Sequence, residues 1–98
     1  MAYNIQELLS EMVKRGASDL HITAGSPPLI RLSGRLTPIG TDKLKPDETM
    51  RMTYSLMNEM QKKAFEQTKE CDFFFFFSNL ARFRANAYLQ RGCVAIAL

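Results

Sequence analysis

Five consecutive phenylalanines, Phe73–Phe77, constrain this chain more than any other stretch of it. In a strand, successive side chains point to opposite faces, so Phe73, Phe75 and Phe77 oppose Phe74 and Phe76. Both faces then ask for cover. Either the strand is central and sandwiched inside the domain, or helices cover one face and a second domain or subunit covers the other. The apolar run Cys93–Leu98, which has no polar tail, adds to the expectation of a missing partner. Left uncovered, the phenylalanine segment is aggregation-prone, being apolar and uncharged.

The chain has 98 residues, 46% of them hydrophobic and 23% charged, which makes one small folded domain and leaves no room for two. The longest apolar runs, Phe73–Phe77 and Cys93–Leu98, fall far short of the ~20 residues of a membrane-spanning helix. No basic, then apolar, leader opens the sequence, so a soluble cytoplasmic chain without direct membrane insertion is expected. Cys71 and Cys93 have neither metal spacing nor a disulfide framework and are read as reduced, buried thiols. The net charge of +3 comes from dispersed residues without a like-charge run, which argues against nucleic acid as a partner.

Ile5, Leu8, Leu9, Met12 and Val13 share one face of a helix. Asn4 is its cap, Glu7 can reach back to complete a capping box, Tyr3 can staple against Leu8, and Gly16 supplies the left-handed stop. The period then becomes two. Leu20 and Ile22 alternate with Asp19 and His21, and Gly25-Ser26-Pro27-Pro28 is a loop. Ile30 and Leu32 then pair through a Ser33-Gly34 turn with a strand carrying Leu36 and Ile39, and Pro38 places that strand at a sheet edge. Pro46 opens a second helix, behind the poor cap Lys45, with Met50, Thr53, Leu56 and Met57 inward. Asn58 and Gln61 cap a third, around Met60, Ala64 and Phe65. Three strands follow: the phenylalanine strand, a Ser78-Asn79 turn into Leu80–Gln90, and Gly92–Leu98. The order α-βββ-αα-βββ, mostly antiparallel with helices on one face, is a two-layer α+β domain.

Nothing here assembles an active site. There is one histidine, no nucleophile–base spacing and no GxxxxGK[ST] phosphate loop. Asp19 and His21 read best as a structural hydrogen-bonded pair or as partners of turn N–H groups. The informative stretch is Arg82–Arg91. Phe83, Ala85, Ala87 and Leu89 share one strand face, while Arg82, Arg84, Asn86, Tyr88 and Gln90 share the other. Two guanidinium groups about 7 Å apart can converge on one phosphate or carboxylate, or simply decorate a solvated sheet.

These residues carry a resemblance. Gly16-Ala17-Ser18-Asp19-Leu20-His21-Ile22, Pro27-Pro28, Arg31, Gly34-Arg35-Leu36, Asp72-Phe73, Ala81-Arg82-Phe83-Arg84-Ala85-Asn86 and Gln90-Arg91-Gly92 stand in an order similar to the N-terminal domain of the type IV pilus retraction ATPases. These are PilT-like members of the type II/IV secretion ATPase superfamily, and the resemblance runs over essentially the whole chain. It implies a PAS-like α+β domain spanning residues 1–98, non-catalytic alone and binding no cofactor by itself. A RecA-like ATPase domain is expected after residue 98, holding ATP and Mg. It further implies a homohexamer in which this domain packs on and moves against that ATPase domain, and a pilus platform protein of the inner membrane as partner. In that family N-terminal arginines approach the nucleotide phosphates, so Arg82, Arg84 and Arg91 are candidates. Arg91 falls on the opposite strand phase unless Gly92 marks a bulge. One departure is Phe74 and Phe76, where the family usually interrupts the strand with a polar residue. The competing reading is a free-standing PAS-like ligand-sensing or interaction module, for which Asp19 and His21 are the candidate polar anchors.

Overall fold

The computed structural model describes residues 3–77 and 81–98. The expected Ser78-Asn79 turn lies outside them. The elements run α1 (Ile5–Arg15), β1 (Leu20–Ile22), β2 (Leu29–Leu32), β3 (Arg35–Pro38), α2 (Pro46–Ser55), α3 (Glu59–Thr68), β4 (Glu70–Phe77), β5 (Ala81–Gln90) and β6 (Cys93–Ala97). This is the α-βββ-αα-βββ order expected. All five strand pairings are antiparallel, in one six-stranded sheet ordered β3-β2-β1-β6-β5-β4. The first and last strands therefore meet in the middle, and the Leu20 and Leu98 backbones bond reciprocally at 3.0 and 2.8 Å.

Local chemistry accounts for most of the boundaries. The Asn4 side chain accepts from the Gln6 and Glu7 backbone N–H groups at the start of α1, and Gly16 ends it at φ 68°. Tyr3 packs against the core that holds Leu8, and its hydroxyl donates to the Asp42 carbonyl at 2.8 Å, tying the segment before α1 to the loop before α2. At α2 the Glu48 carboxylate accepts from the Lys45 backbone N–H at 2.9 Å, compensating for a cap residue without a suitable side chain. Asn58 and Gln61 form the reciprocal capping box of α3, at 2.8 and 2.9 Å.

Helices and sheet bury one continuous core that includes Leu9, Leu20, Ile22, Ile30, Phe65, Phe73, Phe83 and Ile96. The periodicity misplaced several residues. Met50 and Met60 are exposed, at 44% and 81%, and Val13 is half out of the core. Thr53 of α2 is inward as expected, joined there by Thr49 and Met52, while α3 buries only Phe65. Each threonine hydroxyl returns to its own helix, Thr49 Oγ1 to the Pro46 carbonyl and Thr53 Oγ1 to that of Thr49, so burial leaves no donor unpaired. Cys71 and Cys93 are free and half-buried, not fully buried. The phenylalanine strand is not central: β4 is an edge, with Phe73 buried and Phe74 and Phe76 exposed at 55% and 78%.

Candidate functional site

The sheet face turned away from the helices carries the polar side chains of β1, β5 and β4. Strict alternation along β5 buries Phe83, Ala85 and Ala87 and leaves Arg82 and Arg84 exposed, as the pattern predicts. Leu89, at 39% exposure, escapes the core near the strand end. The β4–β5 register sets Arg84 opposite Phe74 and Arg82 opposite Phe76. The two arginines do different things. The Arg82 guanidinium lies over the Phe74 ring, 4.3 Å from its centroid, a cation–π contact that lays the side chain along the sheet. Arg84 has no carboxylate within ion-pair distance among the described residues.

Arg84 lines an open depression of about 320 Å³ together with Asp19, His21, Asp72 and Asn86, floored by Ala97. Two fixed pairs frame it. The Asn86 amide donates to Asp72 Oδ1 at 2.9 Å across the β4–β5 ladder. On the β1 side, Arg31 Nε donates to Asp19 Oδ2 at 2.8 Å and the His21 ring meets the same oxygen at 3.4 Å. The Arg31 hydrogen bond, then one from Ser18, hold the Asp19 carboxyl below its ordinary range. Asp19 and His21 thus form the structural pair expected, with Arg31 as a third member. Both lie on the outer sheet face, so neither anchors a ligand within the core as the sensor reading requires. The Arg31–Asp19 and Asn86–Asp72 pairs have no local sequence signal, because their members are 12 and 14 residues apart and meet only through strand register.

Arg91 is not brought to this place. It occupies a two-residue turn between Gln90 and Cys93, with φ 53° there and 79° at Gly92, so Gly92 marks a hairpin turn and not a bulge. Seven residues separate it from Arg84, more than about 20 Å along the strand. A surface offering one free guanidinium, a second docked beside it and flanking hydrogen-bonding groups can receive an anionic oxygen from a body resting on the sheet. Among the described residues no cluster of His, Cys, Asp and Glu could hold a metal ion. None of the described helices is long and apolar enough to cross a membrane.

Solved structures of ATPases share this two-layer antiparallel α+β fold. A crystal structure of the pilus retraction motor PilT with bound ADP superimposes with a TM-score of 0.90 at 36% identity, over 97% of this chain and 28% of that one. The Legionella pneumophila ATPase DotB shares the fold at a TM-score of 0.81, with 24% identity over all of this chain and 29% of that one. In sequence, the chain is 44% identical over 94 residues to the type IV pilus retraction ATPase PilT of Pseudomonas aeruginosa and 39% over 93 residues to the pilus ATPase PilU of the same organism. It is 35% identical over 97 residues to a twitching motility protein of Neisseria gonorrhoeae. No protein-family model matches it. Over nearly its whole length the chain matches the N-terminal domain of a type II/IV secretion ATPase. It spans 95–98% of its own length in these alignments and about a quarter, 24–27%, of the curated relatives.

Proposed function

We propose that this domain is the non-catalytic, phosphate-sensing part of a hexameric pilus-retraction motor, the rest of which is a RecA-like ATPase domain following residue 98 in the full-length protein. The free Arg84 guanidinium on an uncovered sheet face carries this reading. The ATPase domain holds ATP and Mg, while Arg84, with Arg82 beside it, meets the phosphate oxygens when the two domains close. Charge builds on those oxygens as the γ-phosphoryl group leaves, so a donor that arrives only on closure makes turnover depend on domain movement. Repeated around a homohexamer, that movement draws pilin subunits from the fibre at an inner-membrane platform protein, with the motor on its cytoplasmic side. Arg91, at the far end of the strand, has no part in it.

The test uses the full-length protein. Arg84→Ala lowers ATP turnover at least about tenfold while nucleotide affinity changes little, Arg82→Ala has a smaller effect in the same direction, and Arg91→Ala leaves turnover unchanged. Unchanged turnover in both Arg82→Ala and Arg84→Ala would retire the proposal.

A further inference from the structure

The two edges of the sheet are unequal. At one end β3 is four residues long, carries Pro38 and begins at the charged Arg35, features that block addition of another strand. At the other end β4 is eight residues long, and Phe73–Phe77 offers five residues without a charge, proline, glycine or bulge. Among the described residues no strand lies beside its outer edge. Phe74 and Phe76 are exposed on the outer face, and Phe75 and Phe77 are only partly buried on the inner one.

We propose that β4 pairs with β4 of a second copy of this chain, antiparallel about a two-fold axis through Phe75, to make one continuous twelve-stranded sheet. The occupant follows from the self-complementarity of the strand. An antiparallel pair centred on Phe75 sets Phe73 against the partner's Phe77, Phe74 against the partner's Phe76 and Phe75 against the partner's Phe75, so all five pairs across the seam are aromatic. The β4–β5 register then fixes what lies one strand further out. On the outer face a row reads Arg84, Phe74, the partner's Phe76, the partner's Arg82. On the inner face the central row reads Phe83, Phe75, the partner's Phe75, the partner's Phe83, extending the 5.4 Å stacking of Phe75 on Phe83 across the axis.

Charge agrees with this register. None of the five residues of the seam, Phe73–Phe77, is charged, so no like charges meet within it. Arginines of the two copies in one row stay three strand spacings apart, about 14 Å. Shifting the register one residue toward Asp72 would put two phenylalanines of one copy's outer face against the other's inner face, which alternation forbids. The assembly closes on itself, because each copy uses the unguarded β4 edge of its sheet and presents the guarded β3 at the ends. A dimer forms and not a fibre. The inference stands on strand register alone and is independent of the ATPase reading.

Sedimentation of the 98-residue chain over roughly 1–200 µM tests it. A concentration-dependent shift to twice the 11.2 kDa monomer mass is expected. Phe76→Lys, at a position 78% exposed and so harmless to the core, raises the dissociation constant at least about tenfold without altering the circular dichroism spectrum. In a background with Cys71 and Cys93 replaced by serine, Phe75→Cys forms an intermolecular disulfide on mild oxidation, whereas Phe77→Cys, whose neighbour across the seam is the partner's Phe73, does not. A chain that stays monomeric throughout overturns the proposal. So does a dimer that Phe76→Lys leaves intact, open-ended growth, or equal cross-linking at both positions.

Discussion

Asp19 accepts from Arg31 and from the His21 ring at a single carboxylate oxygen, and that sharing makes the residue worth testing alone. A carboxyl held below its ordinary value in the folded chain adds stability that is fully present above the unfolded value of about 3.9 and is lost as pH falls through the folded value. About a third of the Asp19 side chain is exposed, so solvent screening keeps its contribution near 1 kcal/mol. Asp19→Ala should therefore lower unfolding free energy by about that amount at pH 7, and urea titrations repeated at successively lower pH should find the difference between the two chains shrinking. Among the arginines, strand phase was enough to place Arg82 and Arg84 together and to set Arg91 apart. The difference between Arg82 and Arg84 was not visible, because it depends on Phe74, eight residues away and reached only across the ladder.

At the scale of elements, the turns at Ser33-Gly34 and Arg91-Gly92 use the same device. Ser33-Gly34 and Arg91-Gly92 both place positive φ at two successive residues, 50° and 81° in the first and 53° and 79° in the second, the backbone of a type I′ turn. The first residue of each pair is strained, since a side chain in that region is disfavoured unless it is asparagine or aspartate. Ser33→Asn and Arg91→Asn should each raise stability by about 0.5 kcal/mol, read as a higher midpoint in thermal or urea unfolding. Hydrophobicity misled in α2 and α3, where Met50 and Met60 look like core residues and are not. Pro46 sets the phase of α2, and that phase brings Thr49 and Thr53 inward, a burial that threonine tolerates because its hydroxyl bonds within the helix. Met50→Lys and Met60→Lys should then shift stability by less than about 0.5 kcal/mol, while Met52→Ala should cost about 2–5 kcal/mol in the same assay. Cap signals, by contrast, were reliable at α1 and α3, where Asn4 and Asn58 bond the expected backbone groups.

For the whole molecule, element order and layering could be read from the period changes and turn residues, since each reports a local property of the backbone. Strand order in space could not. It depends on which distant segments meet, and that decides whether the phenylalanine strand is sandwiched or marginal. Its position at the edge resolves the puzzle of a strand apolar on both sides: the inner phenylalanines belong to the core, and Phe74 serves as a platform for Arg82.

The meeting of β1 and β6 at the middle of the sheet also imposes a timetable. The hairpin of β2 and β3 and the long ladder of β4 and β5 each close between neighbours in sequence, but the sheet joins them where Leu20, His21 and Ile22 meet Leu98, Ala97 and Ile96. About 75 residues must be looped out for that contact, so it is among the last to become affordable on the way to the native state. On the ribosome, two half-sheets must wait with open sides until residues 93–97 emerge, and a pause in synthesis just before that point would prolong the interval in which the phenylalanine edge is free and the core unfinished.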